Sequence, residues 1–173
     1  MNRRGAWAVV VVGLSLAGTA GQPLIAQEVD AGIALGATPP AVTIADLNGK
    51  PVALTEFIGR EPALIEFWAT WCPLCRALEP ELKAAHRRFG GRVRFVAVAV
   101  AVNETAAGVR RHLAAHPMPF PFLWDTNGNA TRAFQAPSTS YVVVLDAQGK
   151  VVYTGVGPDQ DLQAALARVA TPS

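Results

Sequence analysis

The chain has 173 residues, which is enough for one domain with a buried core. Hydrophobic residues make up 51% of it, and this excludes a disordered chain. The formal net charge is +2, but two of the 15 basic residues are Arg3 and Arg4 at the N-terminus. Without these two, 13 basic residues face 13 acidic ones, so a nucleic-acid-binding surface is not expected.

The N-terminus has the layout of a secretory signal peptide. Its two arginines precede an apolar run from Ala6 to Gly18, and small residues follow. The run is shorter than the roughly 20 residues that span a bilayer. We expect residues 1–26 to be a signal peptide, cleaved after Ala20 or Ala26, or a retained anchor through residues 6–18. Either alternative places the working domain outside the cytoplasm, in the periplasm or cell envelope.

Small and polar residues at 27–41 predict a linker, and residues 42–173 predict one folded domain. The domain begins with alternating residues on both sides of Asn48-Gly49, a pattern typical of a β-hairpin over residues 42–54. The stretch from Pro62 to Ala69 is almost entirely apolar, which indicates a central strand that is buried on both faces.

Helices and strands then alternate along the chain. Apolar residues at helical spacing predict a helix from Cys72 to Phe89, which ends at Gly90. A valine-rich strand over Arg92–Val102 and a helix over Glu104–His116 follow. The later elements are an extended segment at Phe120–Trp124, a short helix at Thr131–Phe134, two antiparallel strands at Tyr141–Leu145 and Lys150–Thr154, and a final helix at Pro158–Ala170. This order predicts an α/β fold whose mixed sheet carries helices on both faces.

The only two cysteines lie in Trp71-Cys72-Pro73-Leu74-Cys75, between a predicted strand and a predicted helix. Cys72 is therefore placed at a helix N-terminus, where free N–H groups and the helix dipole stabilise a thiolate. Cys75 lies one turn further on the same side, close enough for a disulfide. So small a loop contributes little to stability, which argues against a purely structural bridge.

The block Phe67-Trp68-Ala69-Thr70-Trp71-Cys72-Pro73-Leu74-Cys75-Arg76, with Pro80 five residues beyond Cys75, resembles the thioredoxin superfamily. Its nearest branch is the exported TlpA/ResA-like thiol–disulfide oxidoreductases. The resemblance covers about Val42 to Ala170. It implies a thioredoxin-like mixed β-sheet flanked by helices on both faces, with an extra N-terminal β-hairpin, and it implies no cofactor and no bound metal. It also implies that Cys72 is the attacking nucleophile and the more exposed thiol, and that Cys75 resolves the mixed disulfide.

Two acidic positions differ from the pattern of this branch. The branch often carries an acid three residues past the second cysteine, but that position is Leu78 here, with Glu79 next. Glu66 lies six residues before Cys72, where thioredoxin proper has its buried acid. We expect burial to raise the pKa of Glu66, so that Glu66 exchanges a proton with Cys75. The alternative is a side chain at a strand edge that reaches water.

The partner-binding residues predicted around the thiols are Trp71, Pro73 and Pro137. The family has a cis-proline usually six residues before the Asp of an Asp-x-x-Gly turn. Counting back from Asp146 reaches Ser140, and Pro137 lies three residues earlier. Either a small insertion shifts the loop and Pro137 is the cis-proline, or the cis-proline is absent.

The histidines suggest no metal site. His112 and His116 have an i, i+4 spacing that can bind metal, but no third ligand is evident, so we interpret them as a solvated face. A helix places His86 about 21 Å along its axis from Cys72, too far to share a metal with it.

The resemblance implies a reductase of disulfides in envelope proteins such as apocytochrome c or copper-site proteins, with electrons from a membrane donor. One alternative is a disulfide-forming oxidant. Another is a copper-binding assembly protein, which needs a histidine near the dithiol. Peroxide reduction is disfavoured because the proline and threonine that this chemistry requires before the cysteine are both missing.

Overall fold

A computed structural model of the chain describes residues 32–170, so the predicted signal peptide or anchor lies outside the described residues. No helix within residues 32–170 is both long and apolar enough to cross a membrane. The elements in chain order are β1 (Thr43–Asp46), β2 (Pro51–Ala53), α1 (Leu54–Ile58), β3 (Ala63–Trp68), α2 (Pro73–Phe89), β4 (Arg94–Val100), α3 (Ala106–Ala115), β5 (Phe122–Asp125), α4 (Asn129–Ala133), β6 (Tyr141–Leu145), β7 (Val151–Val156) and α5 (Leu162–Ala167).

The seven strands form one mixed sheet in the order β2-β1-β5-β4-β3-β6-β7. The inner strands β3, β4 and β5 run parallel, while the N-terminal hairpin and the β6–β7 pair add antiparallel strands at the two sides. All six residues of β3 are buried, as expected of a strand that is covered on both faces. The predicted fold class, including the extra hairpin, is confirmed.

Successive side chains of β3 show that both faces of the sheet are covered. The Phe67 ring packs against Phe134, just after α4, with ring centroids 5.7 Å apart. The next side chain, Trp68, contacts His112 of α3 at 5.3 Å. Neighbouring residues of a strand point to opposite faces, so α4 and α3 cover different faces. The chain leaves the Trp68 end of β3 and enters α2 five residues later, at Pro73, which puts the Cys72 motif at this end of the sheet.

Part of the range predicted as a linker packs against the domain. The N–H of Ile33 donates to the Tyr141 hydroxyl at 3.0 Å, and the Ile33 side chain is buried. The backbones of Gly36 and Ala37 both bond Val151 at the start of β7. Residues 32–37 therefore run along the side of the sheet.

The last helix is shorter than predicted. We expected it over Pro158–Ala170, but α5 begins only after Asp161, whose carboxylate accepts from the N–H of Ala164 at 2.9 Å. The buried Gln160 side chain donates to the Gly157 carbonyl at 2.6 Å. This bond holds the preceding residues in a non-helical loop, so the helix cannot start earlier.

Candidate redox site

The two cysteines lie at the N-terminus of α2, and they form a disulfide with their Cα atoms 5.3 Å apart. Cys72 is the N-cap residue, and Pro73 occupies the first helical position. The Cys72 Sγ accepts from the N–H of Cys75 at 3.0 Å. Cleavage of the disulfide with Cys72 held in this place leaves its sulfur facing an N–H group and the positive end of the helix, which together stabilise a thiolate.

Neither sulfur-bearing residue is exposed in this disulfide form. Cys72 is 2% exposed and Cys75 is 1% exposed. The expectation was that Cys72 is the more exposed thiol, but in the oxidised protein its exposure hardly differs from that of Cys75. The Cys72 Sγ faces the first turn of α2, where it accepts from the N–H of Cys75 and is bonded to the Cys75 sulfur.

Contacts from beyond β4 hold the loop that leads into Cys72. The Trp71 Nε1 donates to the Val102 carbonyl at 2.8 Å, which orients an indole that is 45% exposed. The N–H of Thr70 donates to Glu104 Oε2 at 3.1 Å, and the Thr70 hydroxyl donates to the same oxygen. Sequence reasoning missed Glu104, because it lies 34 residues from Thr70 and belongs to no recognisable motif.

Glu66 is buried in the middle of β3, at 1% exposure. Neither of its carboxyl oxygens has a hydrogen-bond partner among the described residues. Burial, together with the charge of Glu79, raises the pKa of Glu66 from its ordinary 4.5 to about 8. Glu66 is therefore mostly protonated at neutral pH in the oxidised protein.

Glu66 shares a cavity of about 10 Å³ with Cys75. The other polar side chains in its wall are Glu79, His112 and His116, and hydrophobic side chains complete it. His112 is half-buried against Trp68, so the interpretation of both histidines as a solvated face is wrong for His112. Their spacing predicted a shared helix face, but only the packing of α3 against α2 directs that face toward Cys75. No group of three potential ligands within residues 32–170 could hold a metal ion.

A groove of about 510 Å³ lies on the other side of the motif. Trp71, the end of β4, the start of α4 and residues 136–139 line it, so Trp71 and Pro137 border the same groove. No peptide bond in residues 32–170 is cis, so of the two alternatives for Pro137 the structure has the one without a cis-proline. The position before β6 belongs to Ser140, whose N–H donates to the Phe67 carbonyl at 2.7 Å. Pro137 lies upstream of this pairing, in the loop that forms the groove.

Comparison with known proteins agrees with the fold and with the disulfide at the start of α2. The model of the Redoxin family matches residues 34–169. This chain belongs to the Redoxin family. This chain is 26% identical over 125 residues to thiol-disulfide oxidoreductase ResA of Bacillus subtilis (strain 168), and the aligned region covers 72% of this chain and 69% of the relative. It is 29% identical over 154 residues to a thiol:disulfide interchange protein DsbE homolog of Paracoccus denitrificans (strain Pd 1222). This aligned region covers 86% of this chain and 82% of the relative.

Solved structures share the fold of this Redoxin. A thiol:disulfide interchange protein of the thioredoxin family from Chlorobium tepidum TLS matches with a TM-score of 0.64 and 23% identity, over 80% of this chain and 99% of the other. A secreted disulfide oxidoreductase of Mycobacterium tuberculosis matches with a TM-score of 0.62 and 23% identity, over 75% of this chain and 95% of the other. This chain is a thioredoxin-like thiol–disulfide oxidoreductase, and its resemblance to the TlpA/ResA-like branch is confirmed.

Proposed function

We propose that this protein reduces disulfides of partner proteins in the cell envelope through the Cys72–Cys75 dithiol. The proposal rests on one observation, that the two cysteines of the disulfide have different surroundings. Cys72 caps the positive end of α2, while Cys75 shares a cavity with the buried acid Glu66. The first environment suits a nucleophile, and the second suits a thiol that must lose a proton before it reacts.

The reaction proceeds in two exchanges. The Cys72 thiolate attacks one sulfur of the partner disulfide, so a mixed disulfide forms and one partner thiolate leaves. Cys75 then gives its proton to the Glu66 carboxylate and attacks the Cys72 sulfur, which releases the second partner thiolate. Two electrons pass from Cys72 and Cys75 to the partner, and the proton of Cys75 ends on Glu66.

The acidic cavity supports a reducing role. Cys75 is buried and Glu79 lines the wall beside it, so burial and the negative charge of Glu79 both disfavour a thiolate there. A strong oxidant instead has a stabilised reduced form. The environment of Cys75 therefore destabilises the dithiol form relative to the disulfide form. This lowers the reduction potential of the protein and favours donation of electrons to a partner.

The surface around the disulfide supports binding of a polypeptide. Trp71 is 45% exposed, Leu74 is 46% exposed and Val102 is 58% exposed, so an apolar rim surrounds the start of α2. We assign the groove between Trp71 and Pro137 to a partner segment on either side of its cysteine, and Pro73 to the contact at the first turn of the helix. A patch of exposed hydrophobic side chains beside a reactive group is typical of a protein-binding surface.

The N-terminal sequence supports export. Residues 1–26 are proposed as a signal peptide, or as an anchor through residues 6–18, followed by a linker that begins at residue 27. The working domain then acts in the periplasm or cell envelope. Its proposed partners are disulfide-containing envelope proteins, such as apocytochrome c or copper-site proteins, and a membrane electron donor restores its dithiol.

Mixed-disulfide trapping tests the function directly. In Cys75→Ser the second exchange is blocked, so we expect the exported variant to accumulate covalent complexes with envelope proteins that dissociate on reduction. The matched control is the double variant Cys72→Ser/Cys75→Ser, which should trap nothing. Equal trapping by the double variant would refute the role of Cys72.

The reduction potential tests the direction of electron flow. We expect a value near that of thioredoxin, about −270 mV, from equilibration with a glutathione or dithiothreitol buffer. A value near about −120 mV would instead identify a disulfide-forming oxidant.

A further inference from the structure

We propose that His112 and His116 of α3 form the route by which the proton of the Cys75–Glu66 pair reaches bulk water. The cavity shared by these four residues is the entrance to that route, and one water molecule held there joins the Glu66 carboxyl to the imidazoles. The inference rests on the proposed exchange reaction. In this role the two histidines exchange a proton with Glu66 and do not act on the reacting sulfurs.

The side chains around the cavity span the distance from the core to the surface. Glu66 is fully buried, Glu79 and His112 are half-buried, and His116 is exposed. The rings of His112 and His116 have centroids 4.7 Å apart. The histidine pair therefore extends from the wall of the cavity, at His112, to the protein surface, at His116.

The cavity is suited to one water molecule. Its volume of about 10 Å³ is close to the roughly 10–15 Å³ that one water needs. Both oxygens of the Glu66 carboxyl lack a protein partner, and Glu79 and His112 supply further polar groups in the same wall. A buried water with several polar partners is a normal part of a folded protein, and here it satisfies a carboxyl that otherwise has no hydrogen bond.

The surroundings of His112 keep its imidazole neutral, with one ring nitrogen free of a proton. Burial, followed by the neighbouring His116, lowers the pKa of His112 below 6.5, so the ring is neutral at neutral pH. Glu79 from α2 and Glu104 from the loop before α3 oppose this shift, and Arg76 adds to it. The remaining charged group is Lys83, which pairs with Glu79 at 2.5 Å.

A route is needed because Glu66 must lose its own proton before it can accept the proton of Cys75. Glu66 lies at 1% exposure, and its pKa of about 8 in the oxidised protein keeps it mostly protonated at neutral pH. Each second exchange therefore depends on release of a proton from this buried carboxyl. Direct transfer to bulk water is blocked by burial, so the carboxyl equilibrates with solvent through the polar wall of the cavity.

Single-turnover kinetics with chemical rescue test the route. The fully reduced protein is mixed with a small aromatic disulfide in dilute phosphate, and the tryptophan fluorescence change is followed during the second exchange, in which Cys75 attacks Cys72. The variants are His112→Asn, His116→Gln and the double variant. The matched control is His86→Gln, because His86 is also half-buried, packs on Phe95 and Phe120, and does not line the cavity.

We expect the double variant to slow the second exchange about tenfold, within the range that proton transfer by a positioned side chain supplies. Added imidazole should restore the rate, because a diffusible base replaces the missing one, while the wild type and His86→Gln should not respond. Rescue distinguishes proton transfer from a packing defect. His116 is exposed, so His116→Gln reports on the route even if loss of the His112 contact with Trp68 perturbs folding.

Two results separate failure of this inference from failure of the function. A wild type that exchanges disulfides, together with variants that are equally fast or slow without rescue by imidazole, would overturn the route alone. A wild type that exchanges no disulfide would overturn the proposed function, and the route with it.

Discussion

The two sides of the Cys72–Cys75 disulfide differ in shape, polarity and access. On the Cys72 side, the exposed Trp71 borders an open groove of about 510 Å³. On the Cys75 side, a closed cavity of about 10 Å³ contains the buried carboxyl of Glu66. Two chemically identical thiols thus gain different roles from their surroundings. The open side is suited to contact with a partner, and the closed side to control of a proton.

Replacement of Cys72 and replacement of Cys75 should block different steps of the exchange reaction, and these are the largest effects that we expect. Cys72→Ser should reduce the rate of insulin-disulfide reduction by at least about a thousandfold, because the nucleophile is lost. Cys75→Ser should retain the first attack on a model disulfide and fail only to complete the exchange. Stopped-flow measurement of the first step checks this. A Cys75→Ser protein that loses the first attack as completely as Cys72→Ser would show that the roles are not divided.

Glu66 should make the stability of the oxidised protein depend on pH. Its carboxyl ionises near 4.5 when unfolded but at about 8 when folded, so the unfolded state binds fewer protons between these values. The free energy of unfolding therefore falls as the pH rises through this window. At about 1.4 kcal/mol per pKa unit, this contribution amounts to about 3 kcal/mol between about pH 5 and pH 8.

Glu66→Gln removes this titration and supplies the comparison. Urea unfolding of the disulfide form at several pH values should give a much flatter stability curve for Glu66→Gln than for the wild type. The amide itself costs stability equally at all pH values, so the slope is the quantity that decides. Parallel curves for the two proteins would mean that Glu66 ionises at its ordinary pKa in the folded chain.

On the open side, Trp71→Ala should weaken reduction of protein substrates more than reduction of small disulfides. We expect kcat/KM for insulin to fall about tenfold, which corresponds to about 1.4 kcal/mol of lost contact. Leu35→Ala is the control, because Leu35 is also exposed and lies beside Gly36, which bonds Val151 at the far end of the sheet. Equal losses with insulin and with a small disulfide would assign Trp71 to the chemistry of the thiols and not to partner contact.

The smallest effect concerns the support of the loop before Cys72. Glu104→Ala removes the acceptor for the N–H and hydroxyl of Thr70, and should cost about 1–2 kcal/mol in urea unfolding. Glu61→Ala removes an exposed pairing with Arg94 at 3.4 Å and should cost close to zero. If the two variants were equally stable, Glu104 would contribute no more than a surface charge.

Local sequence patterns were sufficient to predict most of the fold. The apolar run before Cys72 predicted β3, and the Asn48-Gly49 turn predicted the hairpin, because these signals depend on residues close together in the chain. The ends of α5 were predicted less well, since a buried bond from Gln160 delays its start. The family spacing counted back from Asp146 reached Ser140, the residue that pairs with the end of β3, but the sequence left open whether Pro137 is a cis-proline, because that depends on how the loop before β6 is built.

The sequence by itself determined that Cys72 begins a helix and that Cys75 follows one turn later, because helix geometry acts over a few residues. It also placed an acid, Glu66, in a buried strand. Only the tertiary structure decided that α3 presents His112 to the same cavity and that Glu104 holds Thr70. Those contacts join residues tens of positions apart, and they depend on how helices pack against the sheet, which no local pattern records.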